Sequence, residues 1–319
     1  MIWKTERLDY FADDMFSGME RSMPHTWSKG YTQKNAGVLV KRNPTPDRFA
    51  VIISGGAGNG PLFPGYVAEG LADAASVGGP FSAPNAYAIY EVAKELGKEK
   101  GVLLLYNNFA GDYLNNDMAQ ELLEQEGIRV ETVISNDDVA TALGEPREDR
   151  NGRCGIALLI KLAGALSKAG MDLSEAAQLL RYANTRLGTI SVHVNHEAEE
   201  IYYGPGFSGE PPLLVETHMD MEKTAQRVAQ ILLGDLKPQE GEKLFLLVNR
   251  LRLTSYADSY IMANVMTREL EKHHQVAQLR VAPFSNITDQ YGFDFSILCM
   301  NEETAKLMDT YIASDSFII

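Results

Sequence analysis

The sequence predicts an α/β protein of two domains with mainly parallel or mixed sheets. Three observations lead there. Short apolar runs, such as Ala50-Val51-Ile52-Ile53 and GVLLLYN at 101–107, read as strands buried on both faces. Helical patterns alternate with these runs, the mark of βαβ units. At 319 residues the chain has room for two cores.

Taken in order, Leu8, Tyr10, Phe11, Met15, Phe16 and Met19 recur at helical spacing, so 8–20 should form a short amphipathic helix. Strands are expected at 38–42 and 50–55, separated by the turn residues of 43–47. The second strand runs into Gly55, Gly56, Gly58 and Gly60, closed by Pro61. Glycines at that density permit backbone angles closed to other residues and let main-chain N–H groups approach a ligand. A glycine-rich loop at the carboxyl end of a strand is also where open α/β sheets hold ligands, although a long surface turn is the plainer alternative. Residues 64–76 read as a helix, and 86–96 as another, with Asn85 as its cap.

A strand at 101–107, a polar loop over 107–116, a helix at 117–126 and a strand at 129–135 follow. Asp112, Asp137 and Asp138 stand in loops on the expected ligand side, which makes them better site candidates than carboxylates elsewhere. Helix capping and turn formation are their ordinary alternative roles. The charged, turn-rich stretch 141–153 should be a mobile loop. Helices at 156–169 and 174–186 lead to Gly188, where the domain boundary is placed: an N-terminal domain over 1–187 and a C-terminal one over 188–319. The second half repeats the mixed pattern, with strands at 189–194, 198–203, 243–249, 278–284 and 296–300 and helices at 220–233, 255–272 and 302–312.

Composition excludes several classes. A net charge of −14 argues against a direct nucleic-acid partner, which would want a basic face. Cys154 and Cys299 are the only cysteines, so no disulfide framework exists and a reducing compartment is expected. No apolar run reaches the length of a membrane span, and the first residues lack a signal-peptide core. A cytoplasmic protein with no membrane partner is the expectation.

The glycine loop is not a Walker motif, because no Gly-Lys-Ser/Thr follows. Nor is it GxGxxG: Pro61 interrupts the pattern and has no N–H to offer a phosphate. No nucleotide or other cofactor is therefore expected. His193 and His196, with Glu197, are the nearest thing to a metal cluster. On a strand, positions three apart face opposite sides, so a surface histidine pair is the simpler reading and no metal is expected.

Several motifs together resemble the K subunit of dihydroxyacetone (glycerone) kinase. They are IISGGAGNGP, GVLLLYNNFAGDYLN, and Asn136-Asp137-Asp138-Val139-Ala140, in the family's order and at similar spacing. The resemblance continues through GRCGIALLIKLAGALSKAG, YGPGFSGEPP at 203–212, LFLLVNRL at 244–251 and GFDFSIL at 292–298, and so covers nearly the whole chain. It implies two α/β domains of K-subunit type that form a homodimer. It also implies a small polyol or ketose ligand, and a separate subunit or domain that carries ATP or a phospho-relay. In the family the ketone is held as a hemiaminal on a histidine, in a pattern like GxGIHGEPG.

Here that stretch is Gly204-Pro205-Gly206-Phe207-Ser208-Gly209-Glu210-Pro211-Pro212, and the histidine position is Ser208. A hydroxyl without a neighbouring base is a poor nucleophile toward a ketone. The family's second histidine, in the glycine loop, falls on Asn59, which cannot act as an acid or base near neutral pH. A family lysine falls on Asn107, while the catalytic aspartate is retained as Asp112. The resemblance thus assigns Asp112 a catalytic place and Gly55, Gly56, Gly58, Asn59, Asn107 and Ser208 a substrate-binding one. Three readings follow. The first is a non-phosphorylating relative that acts as sensor or coactivator with a transcriptional regulator. The second is an active kinase subunit for a small keto-sugar or polyol. The third is a structural partner of a true K subunit.

Overall fold

The computed structural model describes residues 7–142, 144–207, 209–286 and 290–309. The chain forms two compact units, crossing between them four times. One unit holds the chain up to Ile134, Leu159–Arg181 and the segment from Leu307, and the other holds Ser135–Leu158 and Tyr182–Lys306.

The first unit opens with α1 (Phe11–Ser22), β1 (Trp27–Gln33), β2 (Ala36–Lys41) and β3 (Ala50–Gly55). It continues with β4 (Ala74–Val77), α2 (Ala86–Leu96), β5 (Val102–Asn107), α3 (Ala110–Gln125) and β6 (Val130–Ser135). The chain passes between units within α4 (Ile156–Lys168) and again near the end of α5 (Leu173–Thr185). The sheet is mixed, in the order β1-β2-β4-β3-β5-β6. At its centre β4, β3 and β5 run parallel, while β2 meets β4 and β1 antiparallel. The α2 and α3 side chains Ile89, Val92, Ala119 and Leu123 close over Ala50, Ile52, Ala74, Val102 and Leu104 on one face.

Two strands of this unit depart from the sequence reading, as does the strand Leu214–Thr217 of the other. The helix expected over 64–76 is instead a 3₁₀ turn at Pro64–Tyr66 followed by the central strand β4. Alanine-rich residues favour a helix in isolation, but tertiary contacts decide otherwise. Asp73 accepts the Val51 N–H at 3.0 Å and pairs with the buried Lys41 ammonium at 2.8 Å, drawing the segment into the sheet. Small side chains suit the place, since α4 comes so close that a Cβ on Gly164 would lie 2.1 Å from the Gly70 carbonyl oxygen. The other departure in this unit is β1, an edge strand whose polar WSKGYTQ sequence hides it; Lys29 donates from it to Asp13 and Ser17 of α1.

The second unit contains β7 (Leu187–Asn195), β8 (Glu200–Tyr203), β9 (Leu214–Thr217), α6 (Met221–Leu236) and β10 (Lys243–Arg250). It ends with α7 (Tyr256–Leu270), β11 (Val276–Ala282), β12 (Gly292–Met300) and α8 (Glu302–Met308). Its sheet runs β11-β10-β12-β7-β8-β9, parallel only at β10–β11 and otherwise antiparallel. Alternate residues Ile190, Val192, Leu246, Val248, Phe295 and Ile297 pack under α6 and α7. All nine residues of β12 are buried, yet only its end was legible, because Asp294 and Ser296 interrupt the apolar run. Among the described residues, no helix is long and apolar enough to cross a membrane.

Candidate functional site

In the first unit, three loops gather at the carboxyl ends of the parallel strands. The loop after β3 lies on the segment after β4: the Ala57 N–H donates to the Gly79 carbonyl at 2.9 Å, and Gly78 N–H to Gly55 carbonyl at 3.0 Å. A Cβ on Gly58 would lie 2.1 Å from the Pro80 carbonyl oxygen, and one on Gly55 would enter the Phe63 ring. None of Gly55, Gly56, Gly58 or Gly60 takes a positive φ. Gly55 and Gly58 therefore answer to close packing and not, as the sequence suggested, to unusual backbone angles. Asn59 closes a 3₁₀ turn at Ala57–Asn59 and is half-buried.

The third loop is shorter than expected. Residues 110–116, read as loop, are the first two turns of α3, so Asp112 sits inside a helix. It is 7% exposed and does not cap the helix; the N-cap position is Phe109, with no side-chain cap bond. Asn116, one turn on, bonds both the Asp112 carbonyl (2.8 Å) and the Ser54 hydroxyl at the end of β3 (2.9 Å), locking helix to strand. The Asp112 Oδ1 has no hydrogen-bond partner. A helix N-terminus ordinarily favours a carboxylate, but burial outweighs it and pushes Asp112 up to about 7.

Buried polar atoms are nearly always paired, so the exceptions are informative. Among the described residues of the first unit they are Arg48 Nε, Ser76 Oγ, Asn107 Oδ1 and Asp112 Oδ1. The last three lie at the carboxyl ends of β4 and β5 or in the turn beyond. Ser76 was missed from the sequence. It stands in register with Ser54, hence on the same sheet face. A lone serine in an alanine run carries no signal until β4 is recognised as a strand.

The second unit places the other sequence candidates. Asp137 and Asp138 are fully buried and structural. Asp137 accepts from Ser135 Oγ (2.8 Å), Arg153 N–H (2.8 Å) and Gly155 N–H (3.0 Å). Asp138 pairs with Arg153 at 3.2 Å, and Arg153 also reaches Asp294 at 3.1 Å. Burial works against the guanidinium charge, but Asp294 and Asp138 outweigh it and hold Arg153 protonated. The segment expected to be a mobile loop over 141–153 thus ends in a wholly buried arginine, and Arg150 forks onto Asp235 at 2.9 and 2.6 Å.

Ser208 lies outside the described residues. Its neighbours are held in place: the Pro205 carbonyl accepts from Arg153 at 2.7 Å, and the Phe207 ring lies 4.4 Å from the guanidinium. Gly204 and Gly209 take φ of +78° and +92°, which favour glycine. His193 is half-buried, and burial pushes it down to about 4, so it is neutral at pH 7 with an unpartnered Nε2. His196 is exposed and lies edge-on to Tyr291.

Comparison with known proteins shows the family and the fold. The Dak1 domain matches residues 18–315. The chain belongs to the Dak1 family. A relative from Listeria innocua, the dihydroxyacetone-binding subunit DhaK of PTS-dependent dihydroxyacetone kinase 2, is 29% identical, with 88% of each chain covered. A solved structure bearing on regulation of the dha operon of Lactococcus lactis superposes with a TM-score of 0.85 at 25% identity, covering 93% of this chain and 92% of the other. The dihydroxyacetone kinase operon co-activator DhaQ superposes with a TM-score of 0.83 at 25% identity, over 92% of this chain and 94% of that one. Two α/β units with mixed sheets are thus the Dak1-family fold.

Proposed function

We propose that this Dak1-family chain binds a small polyol or ketose without phosphorylating it, and acts as a sensor or coactivator beside a transcriptional regulator. The carrying observation is the makeup of the glycine-loop site. Of the chain's six histidines only His25 belongs to the first unit, exposed in the turn between α1 and β1. At the loop itself stand Asn59, Asn107, Ser76 and Asp112. The unused acceptor atoms of Asn107, Ser76 and Asp112 suit the hydroxyls of a small polyol. These residues supply no second proton-transfer group and no imidazole for covalent capture, and Ser208 occupies the family's anchoring position. Likeness to an operon co-activator supports the same reading. The active form is a homodimer on this view.

One observation favours the active-kinase alternative. A carboxyl poised near 7 is well matched to accept a hydroxyl proton at neutral pH. A base alone does not position a substrate, and positioning is the larger loss when the anchor is absent.

The deciding assay supplies an ATP-bearing or phospho-relay partner subunit and measures phosphate transfer to dihydroxyacetone, erythrulose and glyceraldehyde. No turnover is expected, together with a thermal shift from one of these ligands that Asp112→Asn removes. Turnover that disappears in Asp112→Asn would establish the kinase and sink the sensor.

A further inference from the structure

The second unit contains a cavity of about 200 Å³ that the glycine-loop site does not use. It opens between the starts of α6 and α7, the end of β7 and the start of β12. Its walls include Val192, Val194, Ile201, Met221, Met262 and Phe293. None of its lining residues belongs to the glycine loop, the first turn of α3 or the loop at 204–210.

Close-packed interiors leave few voids larger than a water molecule, and an apolar cavity of about 150 Å³ already admits benzene. This one communicates with solvent, because Met219, Leu253 and Tyr291 at its rim are 44%, 41% and 43% exposed. Three of the lining residues, Met219, Met221 and Met262, are methionines, whose unbranched side chains adapt to varied apolar shapes.

The rim chemistry narrows the occupant. Two helices of 16 and 15 residues begin at the cavity, and such N-termini ordinarily attract anions. Here both are already capped: Asp220 accepts the Lys223 N–H at 3.0 Å, and Ser255 Oγ the Asp258 N–H at 3.0 Å. The lining includes the carboxylates Asp220 and Asp258, the single imidazole of His196, and neither lysine nor arginine. A carboxylate or phosphate headgroup would meet like charge, whereas a hydroxyl or ammonium would find acceptors.

We infer that this cavity is a second ligand site, for an uncharged or amine-bearing molecule with an apolar body of roughly six to eight carbons, scaling from the benzene-sized case. The site is independent of whether the glycine loop serves a sensor or a kinase.

The probes are 1-hexanol, n-hexylamine and hexanoate, read by the methyl resonances of ¹³C-methyl-methionine protein and by xenon pressurisation of crystals. Xenon should occupy the cavity, and hexanol and hexylamine should shift the Met219, Met221 and Met262 signals selectively. Hexanoate should bind about tenfold or more weakly, as like charge at the rim requires. Leu253→Trp, which fills the mouth from an exposed position, should abolish the shifts and leave any polyol response that depends on Asp112 intact. Should that variant fail to fold, Asp258→Asn serves instead and should narrow the gap between hexanoate and hexylamine. An empty cavity under xenon, equal binding of hexanoate and hexylamine, unchanged binding in Leu253→Trp, or burial of the mouth by a second copy of the chain would each overturn the inference.

Discussion

At the scale of the residue, Asp112 decides most. Its carboxyl sits at about 7 in the folded protein because burial penalises the charged form. In the unfolded chain it returns to about 3.9. Between those values the native state binds the extra proton, so stability is fully present below about pH 4 and is lost as pH rises through 7. A carboxyl raised that far costs the native state on the order of 4 kcal/mol above pH 8. Asp112→Asn keeps the shape and removes the charge. Its stabilising effect in urea unfolding should therefore grow by roughly that amount between pH 4 and pH 8. An equal effect at both pH values would show that the native carboxyl titrates as it does in the unfolded chain. The same residue illustrates the limit of motif reading. Its identity and its place after a strand were visible, but its protonation depends on what buries it.

At the scale of the element, the segment leading from β6 to α4 teaches the opposite lesson. Its charges suggested a mobile loop, yet Arg153 is wholly buried among Asp138, Asp294 and the Phe207 ring. A buried ion triad of this kind is weak evidence of net stabilisation, but removing its one cation leaves two carboxylates uncompensated. Arg153→Met should cost about 3–5 kcal/mol in urea unfolding. Combining it with Asp138→Asn and Asp294→Asn should recover much of the loss, since the uncompensated charge is then gone. A loss under about 1 kcal/mol for the single change would mean that water reaches the cluster, as for exposed pairs. Nothing in the local pattern of 141–153 foretold this. The partners come from β12, 141 residues along, and from the loop after β8.

At the scale of the whole molecule, the chain belongs to the Dak1 family, and the proposed reading turns on the residues at its loops. On the proposed reading dihydroxyacetone should form no covalent adduct, because the family resemblance puts Ser208 at the anchoring position and Asn59 in the glycine loop. Intact-mass measurement under native conditions should show the unmodified chain. A ketose linked to His193, neutral and with a free Nε2, would mean that the anchor has moved to the neighbouring strand. Ser208→His alone should restore at most weak capture, since the resemblance also puts Asn59 and Asn107 where the family has a histidine and a lysine.

By itself the sequence determined the fold class, the alternation of strand and helix, the glycine loop at the end of β3 and the family motifs. Those features are written in local periodicity, in glycine and proline placement and in spacing, all of which survive without tertiary context. Only the tertiary structure decided that Ala74–Val77 is a central strand, that Ser76 joins the polar ends of the parallel strands, and that Arg153 is buried. It alone raised the Asp112 carboxyl to about 7 by burying it, and left a cavity beneath α6 and α7. The physical reason is common to all of them. Strand pairing, desolvation and void space are set by residues distant in the chain, and no local pattern records which distant residue will arrive.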